Sequence, residues 1–198
     1  MNKKKYNQAT ILIFITLILF ALCTFIGCLF LYFHGDDSSF KKATLLFSSS
    51  TSSEITVDSS MPITDTLGKQ LTFEENQTKY GYSEFSISAN MEGMDSIRYE
   101  IYAIPVGVAL ELPKDYVKVY LTEGKKDLPV DGYAGSVVPT YYDLKVATGD
   151  PAAKKIYSGV LKKDEVKNFK LRVWLSDIYP ITTEYRNFTF HLYVKVID

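Results

Sequence analysis

Disulfide bonds are excluded from most of this chain. Its only cysteines, Cys23 and Cys28, lie in an apolar run, so no sulfur bridge staples the residues that follow. Histidine is as scarce, with His34 and His191 alone. A Ser-His-Asp arrangement would have to use His191, no G-x-S-x-G elbow accompanies it, and a histidine on a strand surface is the simpler reading. No His/Cys cluster has the spacing of a zinc site, and "DGYAGSVVPTYYD" at 131–143 lacks the carboxylate spacing of a calcium loop. "YAGS" at 133–136 lacks the lysine of a phosphate-binding loop and reads as a turn. No catalytic residue, metal or cofactor is therefore expected, and the chain reads as non-enzymatic. A net charge of -1 also gives no general attraction to nucleic acid.

Charge is missing altogether from residues 9–33, "ATILIFITLILFALCTFIGCLFLYF". As a helix this run would reach roughly 37 Å at about 1.5 Å per residue, enough for a hydrocarbon core of about 30 Å. It is longer than a signal-peptide core and no A-x-A-like cleavage site follows, which favours an uncleaved signal anchor. "FIGC" at 25–28 resembles a lipobox, but Phe25 stands where an aliphatic residue is usual and the apolar run continues past Cys28. Lys3, Lys4 and Lys5 precede the span while Asp36 and Asp37 follow it, so the positive-inside rule keeps residues 1–8 cytoplasmic. The expected location is the plasma membrane, crossed once with the bilayer as partner of residues 9–33 and with the C-terminal domain extracellular.

Residues 34–53 are dense in Ser and Thr and read as a stalk, with "LLF" at 45–47 as the exception, placed to dock on the membrane or the domain. From residue 54 to 198 the pattern changes to short alternating runs broken by Gly, Pro, Asp and Asn. Strands are expected at 54–58, 69–75, 84–90, 96–104, 116–123, 141–148, 154–161, 169–176 and 187–197. The last is the clearest: Phe188, Phe190, Leu192, Val194 and Val196 share one face. All seven prolines fall outside strand centres, as they must where an N–H is needed for a ladder. This pattern predicts an all-β fold, an antiparallel immunoglobulin-like β-sandwich behind one N-terminal transmembrane helix. A closed barrel is the lesser alternative.

Between "YSGVL" and "FKLRVWLS" the charged link "KKDEVKN" reads as a hairpin or an inter-sheet crossing. The stretch "YSGVLKKDEVKNFKLRVWLSD" together with the closing "FTFHLYVKV" resembles small exported β-sandwich proteins of low-GC Gram-positive bacteria, the group that includes the TasA and camelysin type. The resemblance covers about the last hundred residues and rests on pattern. It implies an exported β-sandwich. This chain departs from the TasA type in lacking a cleavable signal, so secretion and fibre assembly do not carry over.

What the sequence has in plenty is aromatic side chains. Tyr102, Tyr116, Tyr120, Trp174 and Tyr193 fall on the polar parity of their strands, where aromatic rings serve protein or glycan recognition. High β-propensity and cover by a loop or stalk explain the same placement. The function this supports is a cell-surface protein with a binding, adhesive or structural role and a protein or glycan partner. The alternative is the ectodomain of a signalling or secretion-assembly component that contacts another membrane protein.

Overall fold

The computed structural model describes residue 18 and residues 42–49, 53–73, 80–107, 111–180, 184 and 186–197. The expected span at 9–33, Ile18 apart, and both cysteines lie outside the described residues. Among those described, no helix is long and apolar enough to cross a membrane. The chain divides into two units, Met1–Lys41 and Lys42–Asp198, and the description below concerns the second.

Among its described residues that unit is all-β, with ten strands in two five-stranded antiparallel sheets. They are β1 (Lys42–Ser49), β2 (Glu54–Asp58), β3 (Gly81–Glu92), β4 (Ser96–Val106), β5 (Val117–Glu123), β6 (Leu128–Pro129), β7 (Lys145–Ala147), β8 (Asp150–Lys162), β9 (Lys167–Leu175) and β10 (Asn187–Ile197). The first sheet runs β1-β3-β9-β5-β6 and the second β2-β10-β4-β8-β7. Only β5–β6 and β7–β8 join neighbours within a sheet, so "KKDEVKN" is an inter-sheet crossing. Pro105 pairs with Phe190 beyond the point where β8 leaves β4, at Ala103 and Lys154, so a missing N–H is tolerated there.

Period-two alternation places one face of each sheet in a common core. Phe85 and Phe169 stand opposite each other in β3 and β9 with ring centroids 5.5 Å apart, and Tyr99 of the second sheet meets Phe169 at 6.5 Å. The sheets approach closely at Gly81, where an added Cβ would stand 2.3 Å from the Ile55 side chain. Phe188, Phe190 and Leu192 are buried as their parity predicted, whereas Val194 and Val196 are half-buried.

Three sequence expectations need correction. Residues 42–49, assigned to the stalk, form β1, paired with β3 from Lys42↔Glu92 to Ser49↔Phe85. Lys42, Thr44, Leu46 and Ser48 occupy its outer parity while Ala43, Leu45 and Phe47 pack on the core, so Leu45 and Phe47 of "LLF" dock on the domain because they belong to a strand, and Leu46 between them is exposed. The run at 69–75 is no strand over its described residues: it continues a strap whose one-turn helix α1 spans Asp65–Gly68, with the Thr64 hydroxyl as N-cap. At 141–148 only Lys145–Ala147 is extended. Asp143 accepts hydrogen bonds from the Thr140 N–H at 2.9 Å and hydroxyl at 2.7 Å, closing a turn that directs Tyr141 and Leu144 inward.

The strap, residues 63–71, lies across the outer face of β9 and β5. Ile63 bridges to Ser176, its N–H donating to the Leu175 carbonyl at 2.9 Å. Gly68 rests on the Trp174 indole, and a Cβ there would lie 2.2 Å from the ring. A rigid indole on a full strand cannot yield by that much. Gly68→Ala is expected to cost about 1–3 kcal/mol by overpacking and to red-shift the tryptophan emission; unchanged melting and emission would show that the strap does not press on Trp174.

Candidate functional site

The five aromatic residues singled out by parity do not share a face. Trp174 and Tyr120 point outward from β9 and β5 of the first sheet, yet Trp174 is 0% exposed and Tyr120 is buried. The strap covers both, and the Lys69 ammonium sits 5.5 Å from the Tyr120 ring centre. The indole N–H of Trp174 is buried without a hydrogen-bond partner, so the ring serves as apolar filling. Tyr116 precedes β5 and packs edge-on against Tyr179 at 5.3 Å.

Tyr102 and Tyr193 lie on the outer face of the second sheet. They are cross-strand partners in β4 and β10, stacked at 5.7 Å with 20° between ring planes, and Tyr193 is 43% exposed. His191 follows the same parity on β10, 6.5 Å from the Tyr193 ring, and its Nε2 is 3.5 Å from Glu54 on β2. The Thr56 and Thr189 hydroxyls are 2.9 Å apart beside them. The result is a patch with an aromatic pair at one side and hydroxyl, imidazole and carboxylate groups at the other. The stack covers one face of each ring. Burial, then the nearby Asp150, raises the Tyr102 hydroxyl above its ordinary pKa and keeps it a neutral donor.

Sequence reasoning missed the polar group beside this patch. Glu100 has outward parity on β4 but is buried, accepting hydrogen bonds from Lys155 Nζ at 3.0 Å and from the Thr148 N–H at 3.2 Å and hydroxyl at 2.9 Å. Burial pushes its pKa up, but these donors outweigh that and hold it below the ordinary 4.5. Glu100 thus stays ionised in a closed structural pair and has no proton to lend to acid catalysis at neutral pH. The partners are 48 and 55 residues away in sequence, so no local motif signalled them. Among the described residues no group of three or more His, Cys, Asp or Glu side chains is placed to hold a metal ion.

Comparison with known proteins gives no relative. No family model, characterised protein or solved structure matches this chain. The functional reading therefore rests on the chain's own residues and geometry.

Proposed function

We propose that this is a non-enzymatic cell-surface binding protein, anchored in the plasma membrane by residues 9–33, with an extracellular immunoglobulin-like sandwich. Its partner, in this reading, is a protein that docks on the outer face of the second sheet. The observation that carries it is the stack of the half-buried Tyr102 on the exposed Tyr193, beside His191, Glu54 and Thr56. Tyrosine is enriched in protein interfaces because it combines apolar area with a hydrogen-bonding tip at little entropic cost. The resemblance to exported Gram-positive sandwich proteins agrees with this location and does not name the partner.

A photo-crosslinking residue at position 195, exposed on β10 beside the stack, in the full chain displayed in cells, tests the reading. A discrete adduct that disappears with Tyr102→Ala is expected, with stability lowered only by the lost ring pair, about 0.5–1.5 kcal/mol. A stable protein with no adduct at 195 would remove the docking face. Topology is checked separately: protease added to intact cells should remove a C-terminal epitope tag, and a protected tag would place the domain inside the cell.

A further inference from the structure

A second site lies at one edge of the two sheets. The connection at 130–144 runs along the β5 edge and is pegged there by backbone bonds, Tyr141 N–H to Val117 at 2.7 Å and Val119 N–H to Pro139 at 3.0 Å. Two buried tyrosines fasten it to the second sheet: the Tyr133 hydroxyl donates to the Ile156 carbonyl at 3.0 Å and the Tyr141 hydroxyl to the Ala103 carbonyl at 3.1 Å. A hollow of about 450 Å³ lies between this pegged loop and β8, and a second of about 400 Å³ adjoins it against the β5–β6 hairpin; both have Asp131 and Tyr157 in their walls. Each is within the range of small-molecule sites, roughly 300–1,000 Å³. The walls are preformed, so a ligand would not need to order them.

The lining sets the chemistry. Tyr157 stands between the hollows and is held from behind by Tyr99 at 6.3 Å and Phe169 at 6.0 Å. Gly159 makes room for this packing, since a Cβ there would touch both the Tyr99 hydroxyl and the Tyr157 ring edge within 3 Å. In the larger hollow the exposed Asp131 stands with Lys145, while Asp143 is closed on Thr140 and Lys155 on Glu100; in the smaller, Glu123 is paired with Lys167 at 3.0 Å beside the apolar Leu128. Charges balanced in this way give no net attraction to a phosphorylated or sulfated ligand. Acceptors and donors beside an aromatic ring suit a molecule with C–H faces and a rim of hydroxyls. We infer that the cleft around Tyr157 and Asp131 binds a short neutral oligosaccharide, independently of the protein partner proposed for the Tyr102–Tyr193 face.

The test is calorimetric titration of the full chain with chitotetraose, cellotetraose and maltotetraose, with heparin as the polyanionic comparison. At least one neutral tetrasaccharide is expected to bind. Asp131→Ala, an exposed loop change that leaves the core intact, should weaken it about tenfold or more, the loss of one well-placed group. Tyr157→Phe should retain binding because the ring remains, and the Tyr102→Ala/Tyr193→Ala pair should leave it unchanged. Absence of binding by all three sugars, equal affinity in Asp131→Ala, or preferential binding of heparin would each overturn the assignment.

Discussion

Trp174→Ala is expected to destabilise the domain by about 3–5 kcal/mol, the range for removing a large buried aromatic side chain. Against a typical total of about 5–15 kcal/mol this is a large fraction. The indole is fully buried between β9 and the strap, with Gly68 in direct contact and Ile63 hydrogen-bonded one residue further on, at Leu175. Removing it leaves a cavity that a strap tied down at both ends cannot fill. Denaturant unfolding with tyrosine or far-ultraviolet detection measures the loss. An alanine variant that melts within a degree or two of the wild type would mean that the strap does not close over the ring, and would reopen Trp174 as a surface contact.

Arg172→Ala should rank second, at about 2–4 kcal/mol, because truncating one member of a buried charged network leaves its partners unsatisfied. Arg172 is 2% exposed. Its Nε donates to the Leu71 carbonyl at 2.8 Å, tying down the far end of the strap, and its terminal nitrogens reach the Thr122 hydroxyl at 3.1 Å and the Asp127 carboxylate. Asp127 is about a third exposed, so water recovers part of the loss and the figure falls below that of a wholly buried pair.

The same network gives a pH dependence with a definite sign. Burial raises the Asp127 carboxyl, but hydrogen bonds from Arg172 and Thr122 exceed that effect and hold its pKa below the ordinary 3.8. A carboxylate with a depressed folded-state pKa stabilises the fold above its unfolded value, and the contribution is lost as the pH falls through the folded value. Glu100, held below 4.5, acts in the same direction. The stability gap between wild type and Arg172→Ala should narrow as the pH drops from about 6 to about 2.5. A gap that stays constant over that range would exclude the Asp127 pair as its source.

The strands were legible because their signal is local. "EITVD" and "NFTFHLYVKVI" alternate with period two, and β2 and β10 begin and end where that alternation does. β1 escaped because Ser and Thr are dense in and around it and Leu46 on its outer parity breaks the alternation, so composition suggested a stalk although Ala43, Leu45 and Phe47 already spelled a half-buried strand. Parity correctly separated the two faces of β9, but could not say what covers the outer one. That depends on a strap a hundred residues earlier, whose Leu71 carbonyl meets Arg172 across 101 positions.

The chain by itself determined an all-β domain with an apolar, charge-free run ahead of it, because hydropathy and period-two alternation are properties of neighbouring residues. Tertiary structure decided which aromatic rings reach solvent. Trp174 and Tyr120 were covered by the strap, while on the other sheet Tyr193, of the same outward parity, was left open beside the half-buried Tyr102. It also decided that the 130–144 connection would hold a cleft against β8. These outcomes turn on contacts between segments far apart in sequence, whose geometry exists only once both sheets have closed on their core.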